Sequence, residues 1–414
     1  MKVLFVNTLY YPNVVGGAER SVQFLAESLV QEGHEAVVLT TIAGNETKVD
    51  SLCGVKIYYI GIKNLYWQYQ NYKDKGNPTA LKPIWHAIDT YNPWMAEAVA
   101  RIIDAEQPDL VHTNNLSGFS VSVWQVVKKR QLPLVHTLRD YYLMCFRQAI
   151  MFRNGKNCQT PCWDCKTYSL PRCQLSNLVD TVIGISQFIL EKHLKQKFFT
   201  QVPVRKVIHN AYEAHGSPIA KSSRLRLGYL GRLDRTKGID LLLQTLEKMS
   251  HKNWELKVGG QATDEQIAQF RNRYPLTNVD YLGFVKPEAF FSTIDVLIVP
   301  SIWQEPLGRT VIEAYAHGVP VIGSNQGGIP EIIEPGLTGF VFDPNQDETL
   351  IEAINRFIDN PALASQMRKD VLRKSHAFTP RQILQEYLEV YQTTASRVLS
   401  HQIQGHHSHS DTQS

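Results

Sequence analysis

Short apolar runs alternate with amphipathic stretches from one end of the chain to the other. VLFVN, EAVVLTT, VKIYYI, DLVHTN, PLVHTL, TVIGIS and RKVIHNA read as strands, and stretches such as Ala18–Gln31 and Pro93–Ala105 between them have a helical period. The strand runs are apolar throughout, not alternating. That is the pattern of parallel strands covered on both faces. Strands and helices in turn predict βαβ units, hence an α/β fold built on doubly wound sheets. The pattern pauses at Tyr212–Ser223, a polar stretch with Gly and Pro that reads as an interdomain linker. A second series follows: LRLGYLG, WELKVGG, VDYLGFV, DVLIVPS, PVIGSN and GFVFD. The expected layout is one domain over 1–212, a second over 213–379, a late helix over 380–400 and a disordered, His-rich tail over 401–414. Two such domains facing each other leave a cleft at the carboxyl ends of their strands, where sheets of this kind bind ligands.

Bulk properties narrow the class. The 414 residues exceed one hydrophobic core and suit two domains. A net charge of +4 is mild, and no basic run tracks a phosphate backbone, so a nucleic-acid partner is not expected. The opening MKVLFVNTLYYPN has only about five apolar residues together, which fits a first strand better than a signal peptide. No apolar run approaches the ~18 residues of a membrane span. The expected location is the cytoplasm, with peripheral contact at the inner face of the membrane left open.

Three features converge on a diphosphate. The first strand leads to Gly16-Gly17 at a helix start, where backbone can approach a ligand and N–H groups face an anion. An ordinary turn would use the same glycines. The strand LRLGYLG leads to Arg232 and Lys237, which bracket a strand–helix turn. A guanidinium and an ammonium there can neutralise a β-phosphate leaving group, although two solvated charges would look the same. The strand DVLIVPS leads to Glu305, Pro306, Leu307 and Gly308, then to a helix bearing Glu313. The amides near Leu307 and Gly308 would point at an anion. Glu305 and Glu313 are separated by ~10 Å at helical rise, about the span from a transferred sugar to the ribose of one sugar nucleotide. The alternative is one N-terminal-turn glutamate plus one solvated glutamate. No Asp-x-Asp motif occurs, so Arg, Lys and helix dipoles would replace a catalytic cation. There is no GxxxxGK[ST], which argues against a P-loop nucleotidase. Gly184-Ile-Ser186 has Phe188 where a nucleophile elbow needs glycine, which argues against a serine hydrolase.

Taken in order, GGAER (16–20), LGYLGRLDRTKGID (227–240), YLGFV (281–285), EPLGRTVIEAYAHGVPVIGS (305–324) and GGIPEII (327–333) resemble glycosyltransferase family 4, retaining enzymes of GT-B fold. The resemblance covers both domains over roughly the first 345 residues. It implies two Rossmann-like domains, a nucleotide-binding second domain and a last helix that crosses back to the first. It also implies transfer of a hexose from a UDP- or GDP-linked donor to a saccharide or lipid-linked acceptor, in polysaccharide or glycoconjugate synthesis. By the same resemblance, Arg232 and Lys237 would bind the diphosphate, Glu305 the donor sugar and Glu313 the ribose. Gly16 and Gly17 would line the diphosphate, and Gly283 and Phe284 would meet the base through backbone groups. Retention by front-face attack is the implied mechanism, with support of the departing diphosphate as the enzyme's main share. A nucleotide-sugar epimerase of the same fold and a non-catalytic sugar-nucleotide-binding protein are the rival readings.

Two places depart from the family. His112 and Asn114 stand where many relatives have His-x-His, and Arg139-Asp140 where many have His-Asp. Asn114, Asn115, Arg139 and Asp140 are therefore candidate sugar or acceptor contacts. His112 and His136 read as strand histidines inside the sheet, and no general base is assigned.

Five of the six cysteines cluster within a Cys-rich insertion, 145–173, that follows the DYY segment, as in a subset of the family. Cys145, Cys158, Cys162 and Cys165 are either a structural zinc site or plain buried thiols, with Cys173 further downstream. The stretch 62–95 interleaves Tyr66, Trp67, Tyr69, Tyr72, Trp85, Tyr91 and Trp94 with Lys63, Lys73, Lys75 and Lys82. It suits a sugar or a lipid headgroup, or else simply packs into the first domain. The basic amphipathic segment Gln187–Phe199 leans the same way.

Overall fold

A computed structural model describes residues 1–69, 79–146, 151–213, 224–249 and 253–410. Tyr72, Lys73, Lys75 and most of the expected linker, 214–223, lie outside these residues, as does 411–414. The chain divides into two units. One comprises Met1–Met151, Cys158–His209 and Ile383–Ser414; the other comprises Phe152–Asn157 and Asn210–Gln382.

Unit 1 carries β1 (Lys2–Val6), β2 (Glu35–Ile42), β3 (Thr47–Leu52), β4 (Val55–Gly61), β5 (Leu110–Thr113) and β6 (Leu134–Leu138). A short hairpin follows, β7 (Phe152–Arg153) and β8 (Lys156–Asn157), which belongs to unit 2. Unit 1 continues with β9 (Thr181–Gly184) and β10 (Val204–Val207). Its sheet runs β10-β9-β6-β5-β1-β2-β4-β3 and is parallel except for the β3–β4 pair. The strands β5, β6 and β9 are buried at every position, which is why their sequences lack alternation. The edge strand β3, TKVDSL, was not among the expected strands. It is polar and mostly exposed, so periodicity gives no sign of it.

Unit 2 carries β11 (Leu225–Leu230), β12 (Trp254–Gly259), β13 (Val279–Gly283), β14 (Val296–Val299), β15 (Val321–Ser324) and β16 (Gly339–Phe342). They form an all-parallel sheet in the order β13-β12-β11-β14-β15-β16. Counted within the unit this is 3-2-1-4-5-6, the Rossmann order, and its direction of winding reverses between β11 and β14. In unit 1 the reversal falls between β1 and β5. These two places position Arg232, Lys237 and Glu305 in unit 2 and Asn114 and Asn115 in unit 1.

The last helix runs Pro380–Ser410, so it continues through His401–Ser410, which the sequence reading placed in a disordered tail. Its residues from Ile383 onward belong to unit 1, where Tyr387 and Tyr391 pack on His112. The helix after Ser186 is shorter than its sequence pattern: it spans Gln187–Lys195 and ends before Phe198 and Phe199. Both phenylalanines are buried, as are Ile189, Leu190 and Lys192, so the apolar side of this segment is spent inside unit 1. Among the described residues no helix is long and apolar enough to cross a membrane.

Candidate functional site

The candidate residues Arg232, Lys237 and Glu305 of unit 2 gather at the β11/β14 reversal. After β11 the chain makes a tight turn in which the Asp234 side chain accepts from the Thr236 and Lys237 amides, at 2.9 and 3.2 Å. This Asp cap anchors the turn and leaves the Lys237 side chain to project from it. Gly238 ends the turn at φ +75°, and a Cβ there would sit 1.8 Å from the Pro300 carbonyl oxygen. Only glycine lets the turn lie against the end of β14 so closely. The Thr236 carbonyl then accepts from the Ile302 and Trp303 amides at 3.1 and 3.2 Å. Two loops distant in sequence are thereby joined.

That junction brings Lys237 onto Glu305. Lys237 Nζ lies 2.6 Å from Glu305 Oε1, and Ser301 Oγ donates to the same oxygen at 2.6 Å. Glu305 is buried, and its other oxygen, Oε2, has no hydrogen-bond partner among the described residues. The backbone of Glu305 is pinned from behind. Gly328 N–H donates to its carbonyl at 2.8 Å, and a Cβ on Gly327, at φ +65°, would fall 2.0 Å from that oxygen. Lys237 Nζ also lies 5.5 Å from the Trp303 ring centroid. Arg232 stands in the open with 61% of its side chain exposed. Its Nε pairs with Asp234 Oδ2 at 3.2 Å. Asp234 thus touches both cations, Arg232 by its side chain and Lys237 by its backbone.

Glu313 lies one turn into the helix Arg309–Ala316, buried and paired with Arg309 Nε at 2.8 Å. Gly308 is the N-cap of this helix at φ +89°, and Leu307 before it is buried. Gly283 ends β13 at φ +65°, and Phe284 after it is 79% exposed. Lys237 and Glu305 are in direct contact, and Arg232 joins them only through Asp234; Glu313 is tied to Arg309 and not to Glu305.

Sequence reasoning missed three residues here. Asp234 was legible as a cap: an acid three residues before Lys237. Ser301 carried no signal. Asn157, at the end of β8, sends its Nδ2 to the Ile302 carbonyl at 2.7 Å and accepts from the Gln304 amide at 2.9 Å. The hairpin β7–β8 therefore holds the loop on both sides of Trp303, next to Glu305. Nothing in a Cys-rich insertion announces such a contact.

At the β1/β5 reversal in unit 1 the candidates are tied to one another. Asn115 N–H donates to Asn7 Oδ1 at 3.1 Å, and Thr8 Oγ1 donates to Asn115 Oδ1 at 2.8 Å. Asn115 Nδ2 donates to Asp140 Oδ2 at 2.5 Å. Burial pushes the Asp140 carboxyl up to about 6, and the charge of Glu19 adds to this. Arg139 is buried, its Nε donating to Asn114 Oδ1 at 2.8 Å, with the Tyr387 hydroxyl of the last helix beside it. Asn114 Nδ2 is buried with no hydrogen-bond partner among the described residues. His112 bonds Tyr391 and Thr137, and His136 bonds Thr113, all within the core. Burial holds His112 well below the ordinary histidine range and His136 down to about 3, so both stay neutral. The glycine pair departs from expectation in one respect. Gly16 is the N-cap of the helix Gly17–Gln31, but its N–H donates to Glu19 Oε2 at 2.8 Å in a capping-box arrangement and is not left for an anion.

In the aromatic stretch Tyr66, Trp67 and Tyr69 are half-buried. Trp85 is buried and donates to the Tyr66 carbonyl at 2.9 Å, while Trp67 donates to Thr41. Trp94 and Tyr91 remain exposed.

Comparison with known proteins fits this geometry. Residues 15–214 match the model of Glycosyltransferase Family 4, and residues 213–373 that of Glycosyl transferases group 1. An uncharacterized 42.6 kDa protein in the cps region of Klebsiella pneumoniae is 36% identical over 333 residues, covering 80% of this chain and 87% of its own. The chain belongs to glycosyltransferase family 4. This glycosyltransferase is also 23% identical to a glycogen synthase of Mycobacterium tuberculosis over 88% of the chain and 87% of that protein. Among solved structures, sucrose-phosphate synthase from Thermosynechococcus elongatus aligns with a TM-score of 0.75 at 20% identity, over 96% of this chain and 99% of its own. Anabaena Alr3699/HepE, solved with UDP and glucose, aligns with a TM-score of 0.68 at 20% identity, over 95% of this chain and 100% of its own. The fold is GT-B, with two Rossmann-like domains.

Proposed function

We propose that this glycosyltransferase moves a hexose from a UDP- or GDP-linked donor to a saccharide or lipid-linked glycan, with retention of configuration and without a catalytic metal. The observation that carries the reading is the state of Glu305. One oxygen is held by Lys237 and Ser301, and the other is an unspent acceptor in a buried setting. A carboxylate fixed on one side and open on the other suits sugar hydroxyls, because each would donate to it out of contact with water. Lys237 bonds it directly and Arg232 joins the same turn through Asp234; these are the groups that would receive the diphosphate. The negative charge that grows on the leaving oxygen would be met by a guanidinium and an ammonium already in place. No Asp-x-Asp pair competes for the role, which favours cationic side chains over a bound cation. In a front-face reaction the leaving phosphate oxygen takes the acceptor proton, so the neutral core histidines need no part in it. Alr3699/HepE was solved with UDP-glucose, which makes UDP-hexoses the first donors to try.

The test is thermal stabilisation against a panel of UDP- and GDP-hexoses with EDTA present, followed by donor hydrolysis. A ligand at 100 times its Kd adds ~2.7 kcal/mol. One base is expected to stabilise the protein and to be released from its sugar, with Glu305→Gln slowing release about 10²-fold. Stabilisation only when a divalent ion is added back would overturn metal independence. Donor binding with no sugar release, with or without an acceptor mixture, would overturn transfer in favour of a binding protein.

A further inference from the structure

The insertion between β6 and β9 holds four cysteine thiols that neither the donor site nor the sheets use. Cys145 follows β6, Cys158 follows the hairpin, and Cys162 and Cys165 open the helix Trp163–Leu175 as its N-cap and third residue. Cys145 Sγ and Cys165 Sγ are 4.0 Å apart. The sulfurs of Cys162 and Cys165 and a carboxylate oxygen of Asp164 all lie within 4.8 Å of one another. Cys158 is hydrogen-bonded to Cys162. The contacts thus run from Cys145 to Cys165, from Cys165 to Cys162 and from Cys162 to Cys158. Cys162 and Cys165, within 4.8 Å of each other, join the pair 145/165 to the pair 158/162, and all six cysteines of the chain are thiols.

We propose that Cys145, Cys158, Cys162 and Cys165 bind one structural zinc ion. Four sulfurs at ~2.3 Å from a tetrahedral zinc stand about 3.8 Å from each other, close to the separation of Cys145 and Cys165. Thiolate-rich sets select soft cations over calcium or magnesium. The other two cysteines are excluded by position. Cys173 donates to the Lys197 carbonyl at 3.4 Å, and Cys53 is exposed beyond β3. Two charged groups face the cluster. The Asp164 carboxylate, in the first turn of the helix, accepts from the Cys165 amide at 2.9 Å and lies within 4.8 Å of the Cys162 and Cys165 sulfurs. Lys192, buried on the helix Gln187–Lys195, faces Cys158, where its ammonium offsets part of the net charge of a zinc tetrathiolate.

The insertion has reason to need the ion. Between Cys145 and Cys173 the regular structure is two strands of two residues and one helix, and the apolar side chains buried among the described residues there are Met151, Cys145 and Cys165. A segment with so little core gains its folding energy from a cross-link, which a tetrahedral zinc supplies.

The full chain, purified under reducing conditions without added metal, is expected to carry about one zinc per molecule by elemental analysis. Cys162→Ser and Cys165→Ser are expected to lose it, while Cys53→Ser and Cys173→Ser keep it. Stripped wild-type protein titrated with cobalt(II) should develop the charge-transfer and visible bands of a tetrahedral thiolate site. That measurement stands even where a serine variant fails to fold. The proposal is overturned by wild-type protein that neither holds zinc nor gives the cobalt spectrum. It is equally overturned by zinc retained in both serine variants, by a mapped Cys145–Cys165 disulfide, or by iron with labile sulfide in place of zinc.

Discussion

Two ion pairs of similar chemistry sit in the two units and have opposite characters. In unit 2, Lys237 and Glu305 meet at 2.6 Å with 24% and 10% of their side chains exposed, and Glu305 keeps one oxygen open. In unit 1, Asp89 and Arg172 meet at 3.1 Å with 1% and 0% exposed. Both Asp89 oxygens are spent, on Gly118 N–H at 2.5 Å and on the Tyr142 hydroxyl and Arg172. The guanidinium lies 4.0 Å over the Tyr142 ring and donates to the Tyr142 carbonyl at 2.6 Å. Burial still pushes the Asp89 carboxyl up to about 6 against the pull of Arg172. A pair with no access and no spare acceptor fastens elements together, here two helices and the loop after β6. A pair at a strand-end reversal with one acceptor open is, on the proposed function, the one that exchanges partners with a ligand. Position in the sheet and an unspent valence, more than charge, separate the two.

Removing the closed cation should have the larger effect. Arg172→Met leaves Asp89 buried without its counter-ion, and breaking such a pair costs about 3–5 kcal/mol. The urea midpoint should fall accordingly, while donor affinity of the folded fraction stays the same. A shift below about 0.5 kcal/mol would mean that the pair is no fastener and would erase the distinction. The open pair should answer the other way. Lys237→Ala is expected to lower kcat/KM by about 10²–10³, the loss seen when one preorganised charge-stabilising group is removed. Stability should fall by less than for Arg172→Met, since Lys237 is partly exposed and Ser301 still donates to Glu305. A destabilised Lys237→Ala enzyme with unaltered kcat/KM would place this pair with the structural ones.

How much of this contrast the sequence carries follows from what each end requires. At the β11/β14 reversal backbone demands leave marks that a sequence can carry. Gly238 and Gly327 are where close approach admits nothing else, and Asp234, though missed, caps the turn that aims Lys237. The apolar runs of β5, β6 and β14 gave the layers directly. Contacts between side chains far apart in sequence left no such mark. Nothing local predicts that Ser301 donates to Glu305, that Asn157 braces Gln304, or that Arg139 turns inward to Asn114 and not toward a phosphate. The Gly16 amide shows the converse. A glycine at a helix start looks open to an anion, and a glutamate three residues later closes it.

Asp140 falls between the two extremes and offers the finest test of the contrast. It lies at the reversal of the unit 1 sheet, bonded to Asn115 Nδ2 and to the Tyr142 amide at 2.8 Å, yet it retains some solvent exposure. Burial raises its carboxyl from 3.8 to about 6 in the folded protein, so between those values the native state holds a proton that the unfolded chain has released. Stability from this group is then greatest below about pH 4, declines as pH rises and is fully lost above about pH 6. Full desolvation would make the loss about 3 kcal/mol at 1.36 kcal/mol per pH unit, and partial exposure reduces it to about 1–2. Asp140→Asn removes the titration and shifts stability by some constant amount through its altered hydrogen bonds. The difference in unfolding free energy between the two proteins should therefore move by about 1–2 kcal/mol from pH 4 to pH 7, to the disadvantage of the wild type. A flat difference would mean that the carboxylate is as well served when charged as when neutral. Asp140 would then belong with the open group, as a polar residue poised for an acceptor hydroxyl, and not with the closed network around Asp89.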